Sequence, residues 1–118
     1  MRLLAALLVA PGLALAQPAG DPYPAAVMQG LDKVTARVST FTVAVGGSAR
    51  FGRLSVSVEA CFKRPPEETP ESTAFVVIDD GAQRLFAGWM FASSPALNGF
   101  EHPVYDIWVL DCASPARN

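Results

Sequence analysis

The sequence has one histidine, two cysteines and no run of basic residues, and these shortages exclude several classes of protein. The motifs of phosphate-binding loops, zinc proteases and nucleophile-elbow hydrolases do not occur in it. No CxxC pair accompanies the histidine, so the ligand spacing of a zinc site is missing. Nine basic residues are interspersed with eleven acidic ones, which argues against a nucleic-acid partner. We therefore expect no cofactor and no metal.

The chain begins with a segment typical of a signal peptide. Arg2 precedes an apolar run that ends in the small-x-small pattern of residues 14–16. The run is interrupted at Pro11 and is too short to span a bilayer as a stable helix. We predict cleavage after Ala16 and a periplasmic mature protein without a membrane span. The alternative is a short membrane anchor.

The rest of the chain is long enough for one domain. We predict a flexible lead-in over residues 17–30, a single β domain over 31–113 and a polar tail over 114–118. A short helical turn is expected in AAVMQGLDKV, where Val27 and Leu31 lie at near-helical spacing.

Period-two alternation of apolar and polar residues predicts strands over most of the domain. It is clearest over residues 54–60, and Gly52 is expected to mark a bulge or bend before that strand. Asp80-Gly81 lies between two apolar runs and predicts a tight hairpin. The fold class is therefore all-β, an antiparallel β-sandwich or small barrel of six to seven strands.

The two cysteines, Cys61 and Cys112, predict one disulfide, because an even count in an exported chain favours pairing. A thiol nucleophile or a metal pair is the alternative. Strict alternation, however, places Cys61 on the polar face of its strand. A bulge between Glu59 and Cys61, a strand that ends at Ala60, or a disulfide away from the main core would each resolve the conflict.

The strand QRLFAGWMF is apolar on both faces, so it either is buried on both sides or leaves a contact surface open. The two long loops, PPEETPE and SSPALNGFEHP, accompany it. The candidate binding surface comprises Phe86, Trp89, Met90, Phe91, Ser93, Ser94, Asn98 and His102. Simple core packing is the alternative.

Two polar residues near the last strand are singled out. Alternation gives Asp106 the same orientation as Cys112, which predicts a buried acid with Arg84, Arg50 or loop amides as its partner. A loop-pinning aspartate is the alternative. His102 precedes a proline, as loop hydrogen-bonding histidines do; the alternative is catalysis with a nearby acid.

Three stretches carry a family resemblance: LDKVTARVSTFTVAVG, FGRLSVSVEACFKRPPEETPESTAFVVI and FAGWMFASSPALNGFEHPVYDIWVLDC. They resemble a family of small exported proteins of Gram-negative bacteria, known only as a domain of unknown function. The resemblance implies an envelope-located single domain with paired cysteines, and it supplies no activity or catalytic residue.

From these observations we expect a periplasmic accessory or binding module of the cell envelope whose partner is an envelope protein. A small hydrolase-like enzyme that uses His102 is one alternative. A purely structural envelope protein is another, and it requires Trp89 and Phe91 to be fully buried.

Overall fold

The computed structural model describes residues 20–114, which form nine strands and one short helix. The elements are β1 (Asp21–Pro22), β2 (Ala25–Asp32), β3 (Arg37–Ala44), β4 (Ser48–Phe51), β5 (Leu54–Lys63), β6 (Ser72–Asp80), β7 (Gln83–Phe91), α1 (Pro95–Asn98), β8 (Phe100–Glu101) and β9 (Tyr105–Ala113). The predicted signal peptide, with its cleavage after Ala16, and residues 115–118 of the predicted tail lie outside the described residues.

The strands form two antiparallel sheets packed face to face, which confirms the predicted β-sandwich. One sheet has the order β1-β5-β6-β7, with β4 also paired to β5, and the other has the order β3-β2-β9-β8. Because β1 and β8 have only two residues each, seven longer strands make up the two layers. The hairpin predicted at Asp80-Gly81 joins β6 to β7.

Alternate residues of the central strands fill the space between the sheets, as the pleat of a half-buried strand requires. The fully buried side chains include Met28, Leu54, Val56, Val58, Val76, Ile78, Ile107 and Val109. Burial of apolar surface of this kind is the dominant favourable contribution to folding.

The N-terminal part of the domain differs from the prediction. Residues Ala25–Asp32 form β2 and not a helical turn, and Asp21–Pro22 form β1, so the flexible lead-in predicted over residues 17–30 is wrong from Asp21 onward. β2 pairs with β3 on one side and β9 on the other along its length, and this pairing overrides the local apolar spacing. Gly30 fits this position because the Phe51 ring lies on it; a Cβ there would come within 2.5 Å of the ring.

Gly52 marks a bend before β5, one of the two possibilities predicted for it. β4 and β5 are separate strands joined by a two-residue turn at Gly52-Arg53. Gly52 has φ +61°, in the left-handed region that glycine occupies most readily. The chain reverses direction there, so β4 and β5 form a hairpin.

Two β-bulges decide the orientation of the cysteines. The β5–β6 register skips Glu59, so Cys61 turns inward and the bulge predicted there is confirmed. The β2–β9 register skips Leu110 in the same way, and Cys112 turns inward as well. The predicted disulfide joins Cys61 and Cys112 across the two sheets.

Candidate functional site

One side of β9 is only partly covered by another strand. β8 pairs with β9 only at Ile107 and Asp106, whereas β2 follows the opposite side of β9 along its length. From Trp108 to Ala113, this side of β9 therefore has no strand neighbour among residues 20–114. An uncovered strand side presents backbone N–H and C=O groups to which another chain can pair. We call residues 108–113 on this side the open side of β9.

A groove of about 680 Å³ lies at the C-terminal part of the open side, beside Leu110 and Asp111. Its other walls come from the proline-rich loop after β5 and from the residues after β7, so we call it the proline-loop groove. Glu71 connects these two walls, because its carboxylate accepts a hydrogen bond from the Ser93 hydroxyl at 2.6 Å and another from the Ser93 N–H at 3.0 Å. These bonds hold the loop in place against the domain.

The floor of the proline-loop groove is a polar network beside the disulfide. Asp111 Oδ1 accepts hydrogen bonds from the Ser72 hydroxyl at 3.2 Å and the Cys112 N–H at 2.9 Å. Lys63 Nζ lies 3.1 Å from the same oxygen and 5.6 Å from the centre of the Tyr23 ring. Both members of the ion pair are partly exposed, so their charges face the groove.

A second groove, of about 640 Å³, lies at the N-terminal part of the open side. It is formed between the segment that contains α1 and the β9 residues Ile107 and Trp108, and we call it the helix groove. Asn98 Nδ2 donates a hydrogen bond to the carbonyl oxygen of Trp89, which fixes α1 against β7. Leu97 is 75% exposed at the edge of this groove, so an apolar side chain is available to a partner there.

Both grooves carry an excess of acidic residues. The proline-loop groove is lined by three acids, Glu68, Glu71 and Asp111, and by two bases, Lys63 and Arg64. The helix groove is lined by Glu101 and Asp106 and by no base. The electrostatic environment along the open side therefore favours a partner with positive charge.

The two faces of β7, the strand predicted to be apolar on both sides, lie in different environments. Met90 is buried in the core and Phe86 is half-buried against it. Trp89 and Phe91 lie on the outer face of the sheet, where both are half-buried. The Trp89 ring centre is 5.2 Å from that of Phe75 and 6.3 Å from that of Phe62. Full burial of Trp89 and Phe91, which a purely structural role requires, is not observed.

The structure distributes the predicted polar residues over separate places. Ser93 lines the proline-loop groove and Asn98 lines the helix groove, so these two residues lie at opposite ends of the open side. Ser94 instead precedes α1, where its N–H donates to the carbonyl oxygen of Phe91 at 3.2 Å. The predicted binding role of all these residues stays a prediction.

His102 lies in the turn between β8 and β9 and makes the contacts of a loop residue. Its Nδ1 accepts a hydrogen bond from the Val104 N–H at 3.1 Å, and its own N–H donates to the Tyr105 carbonyl at 2.9 Å. The imidazole stacks against the rings of Phe100 and Tyr105. No hydrogen bond or ion pair joins it to an acid among the described residues.

Asp106 is oriented differently from the prediction. The bulge at Leu110 reverses the orientation of Cys112 relative to Asp106, so Asp106 points away from the core between the sheets. Its partner is Lys33, whose Nζ lies 2.9 Å from Oδ1, and neither arginine that the sequence suggested. Arg84 instead donates to Asp79 at 3.0 Å, and this hydrogen bond raises the pKa of Arg84 above its ordinary value.

Sequence reasoning missed the residues that line the open side of β9. Leu110 is 40% exposed, and Asp111 and Lys63 form the ion pair beside it. A signal was present: alternation counted from Val109 places Cys112 outward, and a bulge is needed to return it to the core.

No group of three or more His, Cys, Asp or Glu side chains within residues 20–114 is arranged to hold a metal ion. In the same part of the chain, no helix has the length and apolar character needed to cross a membrane.

A family model matches residues 26–112, which include both cysteines and the whole open side up to Cys112. The chain belongs to the DUF2155 family. That family is described as an uncharacterized protein conserved in bacteria. The chain is also similar to the uncharacterized protein RP359 of Rickettsia prowazekii (strain Madrid E), with 31% identity over 87 residues. The match covers 70% of this chain and 56% of that relative, so it spans just over half of the relative's length. No solved structure matches the chain.

Proposed function

We propose that this DUF2155 protein is an exported binding module of the cell envelope that holds an extended segment of a partner envelope protein along the open side of β9. The observation that carries the proposal is the absence of a strand neighbour beside residues 108–113, among the residues described, together with a groove at each end of that stretch.

The chemistry of a strand edge favours a polypeptide as the partner. Backbone N–H and C=O groups pair most completely with another extended backbone, and flanking pockets for side chains then give specificity. The proline-loop groove and the helix groove lie at the two ends of the open side, where side chains of an added strand would enter them.

The charges of the grooves favour a basic segment. Acids exceed bases in both linings, and Asp111 and Asp106 are each already joined to one lysine within the domain. Glu68 and Glu101 have no ion-pair partner among the described residues. Lysine or arginine side chains of the partner would pair with them, and such charge complementarity contributes mainly to specificity and association rate.

Export is supported by two independent features. A disulfide between Cys61 and Cys112 persists in an oxidising compartment such as the periplasm. The first 16 residues have the charge, apolar run and small-x-small pattern of a cleaved signal peptide. N-terminal mass spectrometry of the protein from the periplasmic fraction should begin at Gln17, and a cytoplasmic protein that retains Leu3 would contradict export.

The binding proposal is tested by a matched pair of substitutions, Leu110→Asp and Val38→Asp. Both residues are exposed aliphatic side chains of the same sheet, Leu110 at 40% and Val38 at 56%, but only Leu110 lies at the open side of β9. Each affinity-tagged variant is expressed in the native bacterium, and proteins that co-purify from envelope extracts are quantified by mass spectrometry.

We expect one envelope protein to co-purify with the unsubstituted chain and with Val38→Asp, and its recovery with Leu110→Asp to fall roughly tenfold, as for a residue that contacts the partner directly. Equal melting temperatures of the two variants establish that folding is intact. Equal recovery with both variants, or loss with both, would contradict the proposed site.

A further inference from the structure

We propose that a third groove, between the edge strands β3 and β4, binds a small organic oxyanion, a carboxylate or phosphate attached to a flat apolar ring. The groove has a volume of about 310 Å³, and its cationic side chains are Arg37 and Arg50. It is separate from both grooves along β9 and shares no lining residue with them.

The two arginines of this groove are not used by ion pairs within the domain. Lys33, Arg53, Lys63 and Arg84 are each joined to a carboxylate. Among the described residues, Arg37 and Arg50 have no such partner. Guanidinium groups match the planar geometry of carboxylate and phosphate oxygens, to which they donate two parallel hydrogen bonds.

The side chain of a largely buried tyrosine lines the same groove. Tyr105 is only 8% exposed, and its ring is held by Phe51 at 5.6 Å and by His102 at 5.7 Å between ring centres. Among the described residues, no hydrogen bond joins its hydroxyl to another side chain or backbone group, and the hydroxyl oxygen is not one of the buried atoms that lack a partner, so it reaches solvent. The hydroxyl lies against Gly52, where a Cβ would clash with it. It is therefore available to donate a hydrogen bond to a bound oxyanion.

The floor of the groove is apolar and flat. Phe41 and Phe51 stack with their ring centres 5.5 Å apart at an interplanar angle of 19°. The Phe51 ring also packs directly on the backbone of Gly30, and this contact limits the movement of the Phe51 ring. An apolar ring of the ligand would therefore pack on a fixed aromatic surface while its oxyanion faced the arginines.

One acid lines the groove, but it already has a structural role. Asp32 Oδ1 accepts hydrogen bonds from the Val34 N–H at 2.9 Å and the Thr35 N–H at 3.2 Å, which closes the turn between β2 and β3. Two bases against one acid make this the groove with a positive excess, in contrast to the two acidic grooves along β9.

The proposal is tested with phenyl phosphate, with inorganic phosphate as an oxyanion without a ring, and with benzyl alcohol as an uncharged compound that carries the same ring. Each compound is titrated into the full chain, purified with its disulfide intact, and amide chemical shifts are followed by NMR. We expect saturable shifts at Ser39, Gly52 and Tyr105 with phenyl phosphate, at a Kd in the millimolar range or below, which corresponds to about −4 kcal/mol.

Variants separate the contributions of the groups. Arg50→Gln should weaken phenyl phosphate binding roughly tenfold or more, because a charged hydrogen bond is lost, and Tyr105→Phe by a smaller factor. Arg84→Gln, which removes an arginine outside the groove, should leave the Kd within about twofold. Unchanged melting temperatures exclude unfolding as the cause.

Three results would overturn the proposal. The first is the absence of saturable shifts at these residues. The second is equal affinity for benzyl alcohol and phenyl phosphate, which would remove the role of the arginines. The third is equal affinity for inorganic and phenyl phosphate, which would remove the role of the aromatic floor.

Discussion

β5 and β9 each contain a β-bulge before the cysteine of the disulfide. A comparison of the two strands separates the structural role of the bulge from its proposed role in binding. In each strand, regular alternation ends at a buried valine, Val58 or Val109, and the cysteine that follows three positions later is also buried. One extra residue, Glu59 in β5 and Leu110 in β9, makes this possible. The paired bulges bring Cys61 and Cys112 to the same place between the sheets.

The two strands differ in what lies beside the bulge. β5 has strand neighbours on both sides, because β6 covers one side and β4 and β1 cover parts of the other. β9 has β2 on one side and, beyond Ile107, no strand on the other within the described residues. The bulge of β5 therefore serves only to turn Cys61 into the core. The bulge of β9 turns Cys112 into the core and also lies at the proposed binding edge.

The largest expected effect comes from replacement of both cysteines by alanine, which removes the bond that the two bulges bring about. The disulfide closes a loop of 51 residues. In the chain-entropy model its loss costs about 4 kcal/mol, and for a domain of this size the melting temperature should fall by more than about 10 °C. Calorimetry of Cys61→Ala/Cys112→Ala against the oxidised chain measures this, and reduction of the unsubstituted chain should reproduce it. Equal melting of all three forms would mean that the disulfide contributes no stability.

The smallest effect is expected at the residue before the cysteine, where β5 has Ala60 and β9 has Asp111. Asp111→Asn keeps an acceptor for Ser72 and Cys112 but loses the ion pair to Lys63. The side chains of Lys63 and Asp111 are 38% and 46% exposed, so this ion pair is screened by solvent. We expect a loss of about 1 kcal/mol or less by urea denaturation. Asp111→Ala, which removes every acceptor, should cost more. Equal costs would show that the hydrogen bonds contribute nothing.

The same comparison explains which parts of the fold the sequence predicts. Alternation over residues 54–58 and the turn at Asp80-Gly81 depend on neighbours in the chain, and the structure confirms both. The bulge before Cys61 followed from the conflict between alternation and a buried cysteine. The sequence therefore predicts those parts of the fold whose conformation is set by neighbouring residues of the same strand or turn.

The features that the sequence did not predict depend on distant contacts. β2 is a strand because β3 and β9 pair with it on both sides, although its apolar spacing suggested a helix. Asp106 was predicted to face the core together with Cys112, but the bulge at Leu110 lies between these two residues and reverses their relative orientation. The open side of β9 follows from the shortness of β8, and no local pattern encodes which side of a strand lacks a neighbour.

The central claim is that the bulge of β9, unlike that of β5, lies where a partner binds. A photo-crosslinking residue is introduced at Leu110 and, in a separate variant, at Glu59, and each variant is irradiated in the native bacterium. We expect an adduct from Leu110 with an extended, basic segment of one envelope protein, identified by mass spectrometry, and none with that protein from Glu59. No adduct from Leu110, or the same adduct from both positions, would contradict the claim.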